Sequence, residues 1–261
     1  MIRVDGLTVR FGGVVSLDRM TVDFPGGTCG LIGPNGAGKT TFFNVLSGFV
    51  TPVAGTVSVD GIDLLAMPDF QRARWGLRRT FQTEQAIEGL SVFENVATVY
   101  EHSGLRTRGT GPGSRNPFDR LRHVKASEKA KRESVMSALD FVGLTAFADD
   151  SVRSLRAKER RFIEVARAAV GTPKVVMLDE PAAGLPDDDT DELSAIIRAI
   201  PERTGATVVL VDHDMALVQA CCTWSAVLDF GRLLAAGPTG EVLRDEKVMQ
   251  AYLGVDEGSI L

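Results

Sequence analysis

The chain has 261 residues, 29 Lys plus Arg against 34 Asp plus Glu, and a net charge of −5, with 44% hydrophobic and 24% charged residues. The acidic balance excludes a generally basic nucleic-acid binder, and the composition excludes disorder while leaving room for one large α/β core with a subdomain. The longest apolar run, Ala206 to Val211, is far short of the roughly 20 residues that cross a bilayer.

In chain order, Ile2 to Arg10 and Leu17 to Phe24 are apolar-patterned stretches around Phe11-Gly12-Gly13, and Pro25-Gly26-Gly27 closes the second. They predict antiparallel strands joined by turns. The start, Met1-Ile2-Arg3-Val4-Asp5-Gly6, lacks the basic-then-apolar layout of a secretory signal, and Cys29, Cys221 and Cys222 cannot all pair. A reducing cytosol is the expected compartment. Thr28 to Ile32 reads as a buried strand, followed by a glycine-rich turn and a helical pattern through Phe42, Val45 and Leu46.

Strand and helix alternate again late in the chain: Lys174 to Leu178, a helix from about Asp188 to Ile200, Ala206 to Val211, a helix from Asp214, and Ala226 to Phe230. That alternation predicts a parallel sheet with covering helices. Between the halves the periodicity is helical, so we expect a core in two parts, 1–82 and 172–261, with a helical subdomain over 83–171. Inside the insertion, Gly104 to His123 holds Arg106, Arg108, Arg115, Arg120 and Arg122, which reads as a solvated surface loop; docking to an acidic partner or lipid headgroups is the second reading.

Gly33-Pro34-Asn35-Gly36-Ala37-Gly38-Lys39-Thr40, with Thr41 behind it, fits G-x-x-x-x-G-K-[ST] between a strand and a helix. Such a loop wraps phosphate with backbone amides at a helix N-terminus. Lys39 supplies a cation for the β/γ oxygens, and the Thr40 hydroxyl suits Mg²⁺. Val175 to Leu178 then ends in Asp179-Glu180. If both strands share one sheet, Asp179 falls near the loop to hold Mg²⁺, and Glu180 serves as general base toward the attacking water. Two acids after a strand also cap helices; the phosphate loop favours the chemical reading.

Taken together, these residues resemble the nucleotide-binding domain of an ABC (ATP-binding cassette) transporter, a P-loop NTPase α/β core with an antiparallel β subdomain and an inserted helical subdomain. The resemblance implies that Gln82, in Arg79-Thr80-Phe81-Gln82, is the Q-loop glutamine that senses γ-phosphate and Mg²⁺ and contacts the membrane subunit. It likewise implies that His213 is the switch histidine and Phe11 the aromatic residue that stacks on adenine. Leu7 to Gly13, Glu180 to Leu185 and Met249 to Gly254 look like the ATPase branch of branched-chain amino-acid importers.

Where this family usually carries Leu-Ser-Gly-Gly-Gln, the chain has Leu155-Arg156-Ala157-Lys158-Glu159, and Pro186 replaces the usual Asp or Asn of the D-loop. In the family two cassettes meet head to tail, each signature capping the other's ATP. Arg156 lacks the hydroxyl, Lys158 puts a long side chain where backbone should approach, and Glu159 is expected to add negative charge near the phosphates. The acids Asp187, Asp188 and Asp189 read simply as helix N-terminal residues.

The departures lie in elements that reach across the dimer, whereas the residues acting on the chain's own nucleotide are present. The expectation is therefore a cytosolic ATPase subunit, peripheral on the inner face of the membrane. It would pair with a different ATPase subunit and drive import of branched-chain amino acids or a related small polar solute through two permeases, with a solute-binding protein involved indirectly and no nucleic-acid partner. A regulatory or structural ATP-binding subunit with little hydrolysis is the alternative. A soluble ABC protein of DNA repair or translation is disfavoured by a single cassette, no coiled-coil insertion and the acidic charge.

Overall fold

The structure, a computed structural model, describes the backbone of residues 1–102 and 117–256 and the side chains of 1–102 and 126–252. Strands β1 (Ile2–Phe11) and β2 (Val14–Phe24) form a hairpin, with Phe11 opposite Val14. Their buried and exposed positions largely alternate, as expected for a sheet covered on one face. β3 (Thr28–Ile32) leads through the phosphate loop into α1 (Lys39–Ser47), and β4 (Ala54–Val59) and β5 (Ile62–Asp63) complete a four-stranded sheet in the order β2-β1-β4-β5. α2 (Asp69–Trp75) and β6 (Leu77–Arg79) follow.

Three helices come next, α3 (Val92–His102), α4 (Pro117–Phe141) and α5 (Ala157–Ala169), with two single 3-10 turns ahead of α5. Of the arginine-rich stretch, residues 104–116 lie outside the described residues. Residues 117–123 are not loop but the start of α4, where a proline in the first turn sacrifices no helical hydrogen bond. The chain then runs through β7 (Val175–Asp179), α6 (Asp187–Thr204), β8 (Thr207–Val211), α7 (Met215–Cys221), β9 (Trp224–Asp229), β10 (Arg232–Pro238), α8 (Thr239–Val242) and α9 (Glu246–Asp256).

The second sheet has the order β10-β9-β3-β8-β7-β6, parallel throughout except for the antiparallel edge strand β10. Every residue of β3, β7 and β8 is buried, because layers cover both faces. Strand alternation divides these residues between two cores. Val176, Leu178, Val208 and Leu210 face the helical layer, whereas Val175, Met177, Val209 and Val211 face α1 and the antiparallel sheet. With a period of two, Asp179 belongs to the α1 side.

Among the described residues, no helix is long and apolar enough to cross a membrane.

Candidate functional site

The phosphate loop is shaped by close backbone approach. Gly33 has φ 147° against β9, and a Cβ there would lie 2.0 Å from the Leu228 carbonyl oxygen. Gly38, at φ 106°, ends the loop with no room for a side chain beside Ser16 and Leu17. The first-turn amides of α1 have no partner within the helix and open toward the loop. Lys39 is buried, and its Nζ donates to the carbonyls of Gly33 at 2.5 Å and Pro34 at 2.9 Å. Burial lowers its pKa, opposed by the charges of Glu180 and Asp179.

Around that ammonium the loop residues differ in what they offer. Asn35, Gly36 and Thr40 are exposed, Pro34 is half-buried, and Ala37 is buried. The Thr41 hydroxyl is engaged by Ser16 Oγ at 2.7 Å. Phe11, at the end of β1, is 52% exposed and free to stack.

At the end of β7, Glu180 adopts φ 48°, a left-handed conformation rare for a residue with a side chain and costing roughly 1–3 kcal/mol. Its amide donates to the Val211 carbonyl at 2.8 Å, anchoring the turn to β8. The carboxylate is bracketed: Gln82 Nε2 donates to Oε2 at 2.7 Å, and His213 Nε2 lies 3.0 Å from Oε1. Three residues far apart in sequence thus meet at one carboxylate. Asp212 braces them, accepting from the Ala182 amide at 3.4 Å and the Asp214 amide at 3.0 Å. Burial raises its pKa, and the backbone donors offset part of that rise.

Asp179 is not on the strand next to β3, since β8 intervenes. It is instead paired with Arg79 of β6, whose Nη2 donates to Oδ2 at 2.9 Å, with side chains 6% and 8% exposed. Removing one partner of such a pair strands a buried charge, at a typical cost of about 3–5 kcal/mol. Sequence reasoning missed Arg79, Ser16 and Asp212, because each acts on a neighbour brought to it by the fold.

The ABC transporter family matches residues 17–183. The chain belongs to that family. The high-affinity branched-chain amino acid transport ATP-binding protein BraF of Pseudomonas aeruginosa is 36% identical over 255 residues, covering 97% of this chain and 98% of that protein. The corresponding protein LivG of Escherichia coli is 35% identical over 258 residues, 97% of this chain and 98% of its own. Among solved structures, the ADP conformation of an ATP-binding cassette of an ABC transporter superposes with a TM-score of 0.79 at 23% identity, covering 97% of this chain and 98% of that one. The chain is an ABC ATPase and binds ATP.

In this ABC cassette the turn before α5 departs from the sequence expectation at Glu159. Glu159 does not project its charge toward an approaching phosphate; it is buried, accepts from the Arg156 amide at 3.1 Å, and is ion-paired with the Arg156 guanidinium. Burial would raise its pKa, but the Arg156 contacts outweigh it and hold the carboxyl below its usual value. Lys158 does not stand free either. Its Nζ reaches Glu192 at 2.5 Å and Asp189 at 2.9 Å, and the Glu192 and then the Asp189 hydrogen bonds raise its pKa. The acids at the start of α6 therefore include the counterion of the altered turn.

Proposed function

We propose that this chain is the ATP-hydrolysing subunit of a branched-chain amino-acid importer, the transport class named for its BraF and LivG relatives. The observation that carries the reading is Glu180, held by Gln82 and His213 one residue beyond Asp179 and within electrostatic reach of Lys39.

In this reading residues 33–41 bind the phosphates, Lys39 gives up its two carbonyl contacts to pair with them, and Phe11 stacks on adenine. Glu180 takes the proton of the attacking water, and His213 supports the developing charge. Gln82 and His213 each engage one Glu180 oxygen, fixing the carboxylate's orientation while each oxygen keeps a second lone pair for the proton. Gln82 thereby links the base to whatever moves its own loop.

Thr40 offers an exposed hydroxyl and Asp179 a carboxylate, the hard oxygen donors that suit Mg²⁺. Among the described residues no group of three or more His, Cys, Asp or Glu could hold a metal, so the cation would rely on phosphate oxygens as well. When bound, Mg²⁺ neutralises the β/γ oxygens; Thr40, Asp179 and Gln82 orient it.

The remaining parts of the reading concern assembly. Phe49, 60% exposed, stacks on Phe81 next to Gln82 at a centroid distance of 6.4 Å, an apolar step suited to a permease on the inner face of the cell membrane. The self-paired turn of Arg156 and Lys158 favours a heterodimer in which an ATPase subunit with an intact signature caps this chain's nucleotide. We further divide the cassette at 1–82, 83–171 and 172–261.

Lys39→Ala should weaken ATP binding by about tenfold to a hundredfold, the worth of a charge-assisted hydrogen bond to phosphate, measured by equilibrium binding of a fluorescent ATP analogue. The assembly is tested by reconstituting the chain with its candidate partner ATPase, two permeases and binding protein in liposomes. ATP-dependent leucine uptake that requires this chain is the expected result; hydrolysis without uptake of any branched-chain amino acid would refute the assigned transport.

A further inference from the structure

Arg79 touches more than Asp179. Its Nη1 donates to Asn44 Oδ1 at 2.7 Å and lies 3.3 Å from Ser47 Oγ, both on α1. Its guanidinium carbon sits 5.4 Å from the Phe43 ring centroid and 4.8 Å from that of Phe81. The sheet explains why it reaches so far. Leu77 pairs with Val175 and Arg79 with Met177, so Arg79 shares a face with Val175, Met177 and Asp179, the face turned toward α1.

Asn44 is four residues beyond Thr40, one turn along the same helix face. One planar group therefore bridges the carboxylate at the end of β7 and the helix that carries Thr40, its fork geometry fixing both contacts at once. Next to it, Thr80 Oγ1 accepts from the Asp179 amide at 3.1 Å, and Gln82 holds Glu180. The short segment 79–82 thus grips both acids of the strand end. The Arg79 contact occupies Oδ2, leaving Oδ1 for a cation or its water.

We propose that Arg79 is a positioning residue for the cation site, setting the separation of the Asp179 carboxylate and the Thr40 hydroxyl by holding Asp179 and Asn44 with one guanidinium. The inference rests on reading Asp179 and Thr40 as the metal-orienting pair. Arg79 itself touches neither nucleotide nor metal. Its effect is on how well the two oxygens are placed, so it should show in cation affinity and not in metal-free nucleotide affinity.

The test uses the full chain carrying Glu180→Gln to prevent turnover, with ATP below the protein concentration. Mn²⁺ is titrated in and its free form read by electron paramagnetic resonance, while ATP affinity is measured separately in EDTA. Arg79→Gln is expected to weaken Mn²⁺ binding about tenfold, the usual scale for losing a group that orients a ligand, with ATP affinity in EDTA within about twofold. Arg79→Lys should recover part of the loss. Asn44→Ala keeps the buried ion pair, so it tests the bridge even if the Arg79 variants do not fold; a smaller but measurable loss of Mn²⁺ affinity than in Arg79→Gln is expected.

Unchanged Mn²⁺ affinity in folded Arg79→Gln overturns the proposal, as does unchanged affinity in Asn44→Ala if the Arg79 variants fail to fold. Equal losses with and without metal also overturn it, since they mark a general packing role. Asp179→Asn is the separate control: if that variant binds Mn²⁺ as before, the metal assignment of Asp179 fails on its own account.

Discussion

Glu180→Gln is expected to retain ATP binding and to lower hydrolysis by roughly 10² or more, the low end of the range for removing a general base. The substitution keeps the shape of the side chain at a strained backbone position, so the φ 48° turn and its bond to Val211 need not change. It also keeps one oxygen for Gln82 or His213, the two donors that now share the carboxylate. What disappears is the ability to take a proton. Binding of a fluorescent ATP analogue and phosphate release are measured on the same assembled complex. Undiminished turnover there would remove this chain's own site from the mechanism, whereas Lys39→Ala acts earlier, on binding itself.

Much of this arrangement was legible because its parts are local in sequence. The phosphate loop carries its own strand, turn and helix between Thr28 and Ser47, and the apolar runs Val175 to Leu178 and Val208 to Val211 read as buried strands. The missed elements lack such marks. β6 is three residues long and ends in Arg78-Arg79, so no apolar run announces it. The β4–β5 hairpin did leave a sign, Asp60-Gly61, both at positive φ, the preferred pair for a tight turn, but β5 is only two residues. Phe230-Gly231 plays the same part before β10, with both residues at positive φ and no polar turn residue to flag it. Nothing in the sequence marks Arg79, because an ion pair spanning 100 residues exists only once β6 lies beside β7. The Glu159 expectation fails for the same reason: its charge is visible in the sequence and its Arg156 pairing is not.

In the proposed heterodimer, disabling Glu180 is expected to reduce hydrolysis by the whole complex at least about tenfold more than disabling the matching glutamate of the partner. The asymmetry comes from the turn before α5. A cap over the partner's γ-phosphate needs compact donors, a hydroxyl and free backbone amides, and loss of a single such donor typically costs about 10²–10³ in rate. Here the Arg156 amide and guanidinium are both committed to Glu159, and Lys158 is committed to Asp189 and Glu192. Two extra cations therefore do not amount to a phosphate site, because using them would first break ion pairs within the chain. The defect is one of missing donors, since the Glu159 charge is already neutralised. Meanwhile Lys39, Glu180, Gln82 and His213 lie together at this chain's proposed nucleotide site, which an intact partner would complete. The two glutamate-to-glutamine complexes are compared by phosphate release under saturating ATP. Equal losses, or brisk hydrolysis by a pure homodimer of this chain, would show that Arg156 and Lys158 do leave their carboxylates and cap ATP well enough.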